Sequence, residues 1–313
     1  MGFMQSYAII GTGAVGGYYG ACLQKVGFPV HFLLRSDYDR VKEKGLIVES
    51  IYGDFTLPRV NAYRDPSQMP QCDVIIVALK STQNHLLPQL LKPLVRENSV
   101  IILLQNGLNF EREIAEIFPQ SFIIGGLCFI CANKIAAGYI CHLDYQEIVL
   151  AEYASNYQSC GITGRMEAIA KDFQKANVKI ALKADLLQSR WEKLVWNIPY
   201  NSLSVILDAT TQAIMGDRHS RQLVEAIMQE VAIGARSCQR EISESFIAKM
   251  LSHTEKMKPY LTSMKLDYNF KRPLEIEGIV GNALQMAREK AIELPKISML
   301  YQQLKFLDTQ NRK

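Results

Sequence analysis

No apolar run in the chain approaches the roughly 20 residues that cross a bilayer, which excludes a helical membrane protein. The opening segment, residues 1–10, lacks the basic region and long apolar core of a secretory signal, and a cytoplasmic location is expected. Gly2 and Ser6 fit the N-myristoylation pattern, but a strand follows almost at once and no lipid anchor is expected. Excess charge is also scarce. The 35 basic and 31 acidic residues leave a net +4 spread along the chain, too little for a nucleic-acid surface and suited to a small anionic ligand. The 7 cysteines, an odd number in 313 residues, do not form the framework of a small secreted domain. Cys128 and Cys131 have the spacing of a metal or redox pair. No second close pair or His-x3-His follows them, and "IIGGLCFICA" reads as a buried strand, so free thiols and no metal are expected. Gly/Ser linkers, internal repeats and low-complexity segments are missing as well.

What is present is an alternation of strand and helix patterns. "YAII" reads as a strand, 14–26 as a helix, "PVHFLL" as a second strand and "DYDRVKEKG" as a short helix stopped by Gly45. Alternating segments at 46–50 and 54–61 flank Gly53 as a hairpin signal. "CDVIIVAL" and "SVIILLQNG" are near-continuous apolar runs, the pattern of parallel strands covered on both faces. Residues 82–95 have helical spacing broken by Pro88 and Pro93. Strand-like stretches follow near 121–131, 138–142 and 146–150, then a helix at 162–176 and the strand "VKIAL". From about residue 186 only helical patterns remain: 187–207, 220–240, 243–257, 274–291 and 296–309. This order predicts an α/β fold, with an N-terminal Rossmann-type dinucleotide-binding domain over 1–185 and a C-terminal all-helical substrate and catalytic domain over 186–313.

Between the first strand and first helix stands "GTGAVG", residues 11–16. Gly11 permits the tight turn, Gly13 lets a pyrophosphate approach the backbone, and Gly16 permits close packing of helix on strand. Thr12, Ala14 and Val15 complete the loop, whose N–H groups face the phosphates at a helix N-terminus. A site for NAD usually carries Asp or Glu at the end of the second strand, whereas here that strand runs into Arg35. A guidanidinium there suits a 2′-phosphate, so NADP(H) is expected.

Further along, "ALKSTQ" at 78–83, "LLQNGLN" at 103–109, "GYICH" at 138–142, "RWEKLVWN" at 190–197, "GDRHS" at 216–220, "YLTSMKLD" at 260–267 and "LEIEGIVGNAL" at 274–284 appear in one order. With the glycine loop, these motifs resemble the ketopantoate reductase family over most of the chain. The resemblance implies NADPH-dependent reduction of a 2-oxo acid, 2-dehydropantoate, in pantothenate biosynthesis. It implies Lys80, Asn106 and Ala132 at the cofactor, and Lys193 and Glu275 as catalytic residues, with Glu275 also near the cofactor. It further implies that Lys193, Asn197, Asn201 and Ser263 bind substrate. Lys193, Asn197 and Asn201 lie at i, i+4 and i+8, one polar row of a helix opposite an apolar stripe of Trp191, Leu194, Val195 and Ile198. Against the family pattern, Pro199 lies inside this helix, where a kink is expected, and Ser202 follows Asn201 where proline is common. The segment "YNFKRPLE" at 268–275 is bulkier and more basic than the family's. Two other readings stay open here: another NADP-dependent 2-oxo or 3-hydroxy acid dehydrogenase of the same architecture, and a non-catalytic NADPH-binding sensor. A small-molecule partner is expected, without nucleic acid or membrane, and a homodimer is left open.

Overall fold

In the computed structural model, residues 4–257 and 261–313 are described. Gly2, of the lipidation pattern, and Tyr260, of the "YLTSMKLD" motif, lie outside them. The chain divides into two units, Met1–Gln105 with Phe110–Leu186, and Asn106–Asn109 with Leu187–Lys313.

The first unit is built on a ten-stranded mixed sheet. Its strands are β1 (Tyr7–Ile10), β2 (Val30–Leu33), β3 (Leu46–Ser50), β4 (Phe55–Leu57), β5 (Asn61–Tyr63), β6 (Val74–Val77), β7 (Val100–Leu103), β8 (Phe122–Ala136), β9 (Tyr139–Glu152) and β10 (Ile180–Leu182). They lie in the order β4-β3-β9-β8-β7-β6-β1-β2-β5, with β10 beside β9. Strands β5-β2-β1-β6-β7-β8 are all parallel, the dinucleotide-binding order in which the chain reverses direction across the sheet beside β1. The apolar runs behave as their two-residue period requires. Tyr7, Ile9, Val74, Ile76, Val100 and Ile102 enter one core cluster, and Ala8, Ile10, Ile75, Val77, Ile101 and Leu103 enter the other. Helices α1 (Ala14–Lys25) and α5 (Gly164–Lys175) cover the first cluster. The second is covered by α3 (Leu87–Leu91) and α4 (Phe110–Ile117), while α2 (Tyr38–Lys44) follows β2.

Three local expectations change. The 54–61 segment is split between opposite ends of the sheet, β4 pairing with β3 and β5 with β2, because Pro58 can donate no ladder hydrogen bond between them. The stretches at 138–142 and 146–150 join as one strand, β9, since Tyr145 takes a left-handed conformation (φ 51°) inside it instead of ending it. Residues 81–86 form a 3-10 helix and only 87–91 an α-helix, with Pro88 in its first turn.

The second unit is helical among its described residues: α6 (Leu186–Ile206), α7 (Thr211–Gly216), α8 (Arg218–Ser237), α9 (Glu244–Glu255), α10 (Ser263–Asn269), α11 (Asn282–Arg288) and α12 (Pro295–Asn311). A π-helical turn, Glu277–Gly281, leads into α11. Helix α6 continues through Pro199 as one element, leaving the carbonyl of Val195 without its usual i+4 donor.

Candidate active site

The glycine loop is shaped by what surrounds it. A Cβ on Gly11 (φ +100°) would lie 2.6 Å from the amide nitrogen of Leu79, so the loop rests on the backbone just after β6. A Cβ on Gly16 would lie 2.8 Å from Cβ of Ala78 and nearer still to the carbonyl of Gly11. Both glycines are therefore required by packing. Gly13 is different, because a Cβ there would meet nothing within 4 Å. The fold itself makes no demand for glycine at that position. Gly13 is the N-cap of α1 and offers no side-chain cap, and the first turn holds no acid. The leading N–H groups of α1 are thus left to an external acceptor, and the open space above Gly13 fits an approaching phosphate. Thr12 donates its hydroxyl to the carbonyl of Leu33 at 3.0 Å, which ties the loop to the end of β2.

Arg35 follows that strand and is exposed. The next acid, Asp37, is only 6% exposed and serves the protein itself. It accepts from Lys134 Nζ at 2.9 and 3.0 Å, from the backbone N–H of Gly138 at 3.2 Å and from the Ser36 hydroxyl at 2.9 Å. Burial alone would raise its pKa. The hydrogen bonds from Lys134, Ser36 and Gly138, with the lysine charge, outweigh burial and hold it below the usual carboxylate range. Asp37 thus pins the β2–α2 turn to the β8–β9 hairpin. Lys80 is exposed at the N-cap of the 3-10 turn, one residue beyond the backbone that Gly11 touches. Gln105 braces that segment, donating to the carbonyl of Leu79 at 2.9 Å and to Asn84 Oδ1 at 2.6 Å. Ala132 is half-buried on β8 opposite His142, beside a register shift.

In the helical unit, Lys193, Asn197 and Asn201 share one row of α6, and the row is not a solvated face. Asn197 is 6% exposed, Asn201 2%, and Lys193 is half-buried. The facing stripe of Trp191, Leu194, Val195 and Ile198 is fully packed, as its spacing predicts. Asn201 Oδ1 is buried with no hydrogen-bond partner among the described residues. An amide oxygen left in that state is costly unless a ligand donates to it.

Ser263 opens α10, a helix its sequence pattern does not announce, and is half-buried. Thr262 caps this helix and its hydroxyl meets that of Ser204 on α6 at 2.8 Å, which brings the Ser263 end against the Asn201 helix. Glu275 is 5% exposed and lies just before Ile276, the N-cap of the π-helical turn. That turn in turn holds the two residues after Asn106. A Cβ on Gly107 (φ +119°) would lie 2.9 Å from Cα of Gly278, while Leu108 donates its N–H to the carbonyl of Gly278 at 3.0 Å. Asn282 Nδ2 closes the contact by donating to the carbonyl of Leu108 at 2.6 Å. The segment Asn106–Asn109 thus follows β7 in the chain but belongs, with the Glu275 segment, to the second unit. Only glycine fits at 107, since both the positive φ and the close backbone approach exclude a side chain.

Two family models match the chain, "Ketopantoate reductase PanE/ApbA" over residues 7–155 and "Ketopantoate reductase PanE/ApbA C terminal" over residues 185–308. A 2-dehydropantoate 2-reductase of Nostoc sp. is 61% identical over 308 residues, covering 98% of this chain and 97% of the relative. The crystal structure of 2-dehydropantoate 2-reductase from Geobacter metallireducens superposes with a TM-score of 0.91 at 41% identity, over 96% of this chain and 99% of the other. That of the Methylococcus capsulatus enzyme superposes with a TM-score of 0.89 at 33% identity, over 98% of each chain.

Proposed function

This chain belongs to the ketopantoate reductase family, and we propose that it reduces 2-dehydropantoate to pantoate with NADPH, the reductive step toward pantothenate. The observation that carries the reading within the structure is the α6 row of buried Asn197 and Asn201 beside half-buried Lys193, with the orphaned Asn201 amide oxygen, and a non-catalytic sensor has no use for the lysine as a proton donor. NADPH, when bound, supplies the hydride for the ketone carbon.

The residues of the chain then divide the remaining work. Backbone N–H groups at Gly13, Ala14 and Val15 hold the phosphates, and Gly13 leaves room for them. Arg35 pairs with the 2′-phosphate, while Lys80, Asn106 and Ala132 line the cofactor's path. Lys193 stabilises the negative charge that grows on the carbonyl oxygen and delivers a proton there, producing the alcohol. Glu275 orients the ammonium. Asn197 and Asn201 accept from and donate to the substrate's oxygens, and Ser263 holds its carboxylate. Two polar anchors on α6 and one on α10 fix which face of the ketone is presented. A cytoplasmic enzyme belongs to this reading. So does a homodimer, tested by light scattering, where a monomer mass rejects it.

The test of function is a steady-state comparison of 2-dehydropantoate with pyruvate and 2-oxoisovalerate, each with NADPH and with NADH. The expected result is fast turnover only with 2-dehydropantoate and NADPH. Turnover confined to another 2-oxo acid would move the substrate, and silence with all three would reject the activity.

A further inference from the structure

The proposed mechanism needs Ser263 and Asn201 to hold opposite parts of one small molecule, yet they sit on different helices 62 residues apart in sequence. A directed chain of hydrogen bonds joins those helices. The Ser204 hydroxyl donates to the backbone carbonyl of Asn201 at 3.1 Å. Its single proton is then committed, so the 2.8 Å contact with Thr262 has the Thr262 hydroxyl as donor. Thr262 Oγ1 in turn accepts from the backbone N–H of Lys265, one turn into α10, at 3.2 Å. Ser204 and Thr262 are both 0% exposed, and Asn201 is 2%. Each hydroxyl is satisfied once as donor and once as acceptor, so losing either leaves a buried polar group unpaired.

A second tie lies just beyond. Helix α6 ends in a turn at Asp208 (φ 51°), whose exposed carboxylate meets Lys265 Nζ at 2.5 Å. The Lys265 ammonium also donates to Asn269 Oδ1 at 2.7 Å while its stem is buried in α10. The two ties act at either end of the same helix contact, the inner one beside Asn201 and Ser263 and the outer one at the C-terminus of α6.

We infer that Ser204 and Thr262, with the Lys265–Asp208 pair behind them, are positioning residues that set the distance between the Ser263 and Asn201 anchors and so determine affinity for the 2-oxo acid. None of the four touches substrate in this account. Their effect is geometric, and a displacement near 1 Å at an anchor is enough to cost one to two orders of magnitude. The inference rests on the activity proposed above.

The test uses Ser204→Ala, Thr262→Val, Thr262→Ser and Asp208→Asn in the full-length protein, with three readouts: KM and kcat for 2-dehydropantoate, Kd for NADPH, and Tm. Ser204→Ala and Thr262→Val are expected to raise KM about tenfold with NADPH Kd unchanged, and Thr262→Ser to restore it. Asp208→Asn keeps a side-chain oxygen for the Lys265 ammonium and removes only the charge, and is expected to raise KM about threefold. A lowered Tm with unchanged KM in Ser204→Ala and Asp208→Asn would overturn the inference, leaving these contacts as ordinary helix ties. A wild-type protein that turns over no 2-dehydropantoate would instead overturn the activity itself, which separates the two failures.

Discussion

Gly13→Ala and Gly16→Ala differ by three positions and one methyl group each, and they should fail in opposite ways. At Gly13 the added Cβ meets nothing within 4 Å, and the backbone (φ −88°, ψ −156°) is extended, open to alanine. Restricting the unfolded chain stabilises by about 0.4–1 kcal/mol, and alanine's weakness as an N-cap costs a similar amount. The net change should lie within about 1 kcal/mol, or roughly 2 °C in Tm. Binding should suffer, because the methyl group occupies the space through which a phosphate reaches the N–H groups. Loss of one charge-assisted hydrogen bond, about 1.5–3 kcal/mol, weakens NADPH about 10- to 150-fold. At Gly16 the Cβ runs into the Gly11 carbonyl and lies 2.8 Å from Ala78 Cβ. Overpacking of this kind costs about 1–3 kcal/mol, so Tm should fall by roughly 2–6 °C. Calorimetry for Tm and titration with NADPH for Kd decide the matter. A Gly13→Ala protein that binds NADPH as tightly as wild type would refute the reasoning, and so would one that melts as early as Gly16→Ala.

Lys193→Ala should lower kcat about 10²- to 10⁴-fold while leaving NADPH Kd within about twofold, measured by stopped-flow and titration; near-normal kcat would remove its role. Arg35→Ala, at an exposed position, should leave Tm unchanged and cut the preference for NADPH over NADH by about 10- to 100-fold in kcat/KM. An unchanged ratio would place the 2′-phosphate contact elsewhere. The Asp37 carboxyl is held low in the folded protein, so its contribution is fully present above the unfolded pKa near 3.9 and lost as pH falls through the folded value. Asp37→Asn should lower Tm at neutral pH by about 3–6 °C, and the gap to wild type should close below about pH 4. A gap that persists unchanged in acid would mean that the charge contributes nothing.

The sheet was legible wherever burial on both faces forces a continuous apolar run, as in "VIIV" and "VIIL", because no other element of that length tolerates one. The glycine loop was legible in its spacing, and the packing roles read for Gly11 and Gly16 agree with the atoms around them. What the spacing could not supply was the open space at Gly13, which depends on neighbours distant in sequence. The α6 row could be drawn from i, i+4 periodicity, yet periodicity is blind to what faces it, and the burial of Asn197 and Asn201 came from the fold. The remaining features depend on contacts distant in sequence. Asn106 belongs with Glu275 because Gly107 packs on Gly278, and the nearest local hint was an Asn-Gly pair that equally announces a turn. The Ser263 helix is 7 residues long, too short for a period to emerge, and its one signal was the Thr262 cap.

The most direct test of the central claim is the stoichiometry of a single reaction mixture: purified protein, NADPH and excess 2-dehydropantoate, with nicotinamide absorbance followed and the acid products resolved by mass spectrometry. The account predicts one pantoate formed for each NADPH consumed, and consumption at least about 100-fold slower when Lys193→Ala replaces the wild-type protein. NADPH that stays reduced while the protein binds it, or is consumed without pantoate appearing, would contradict the account.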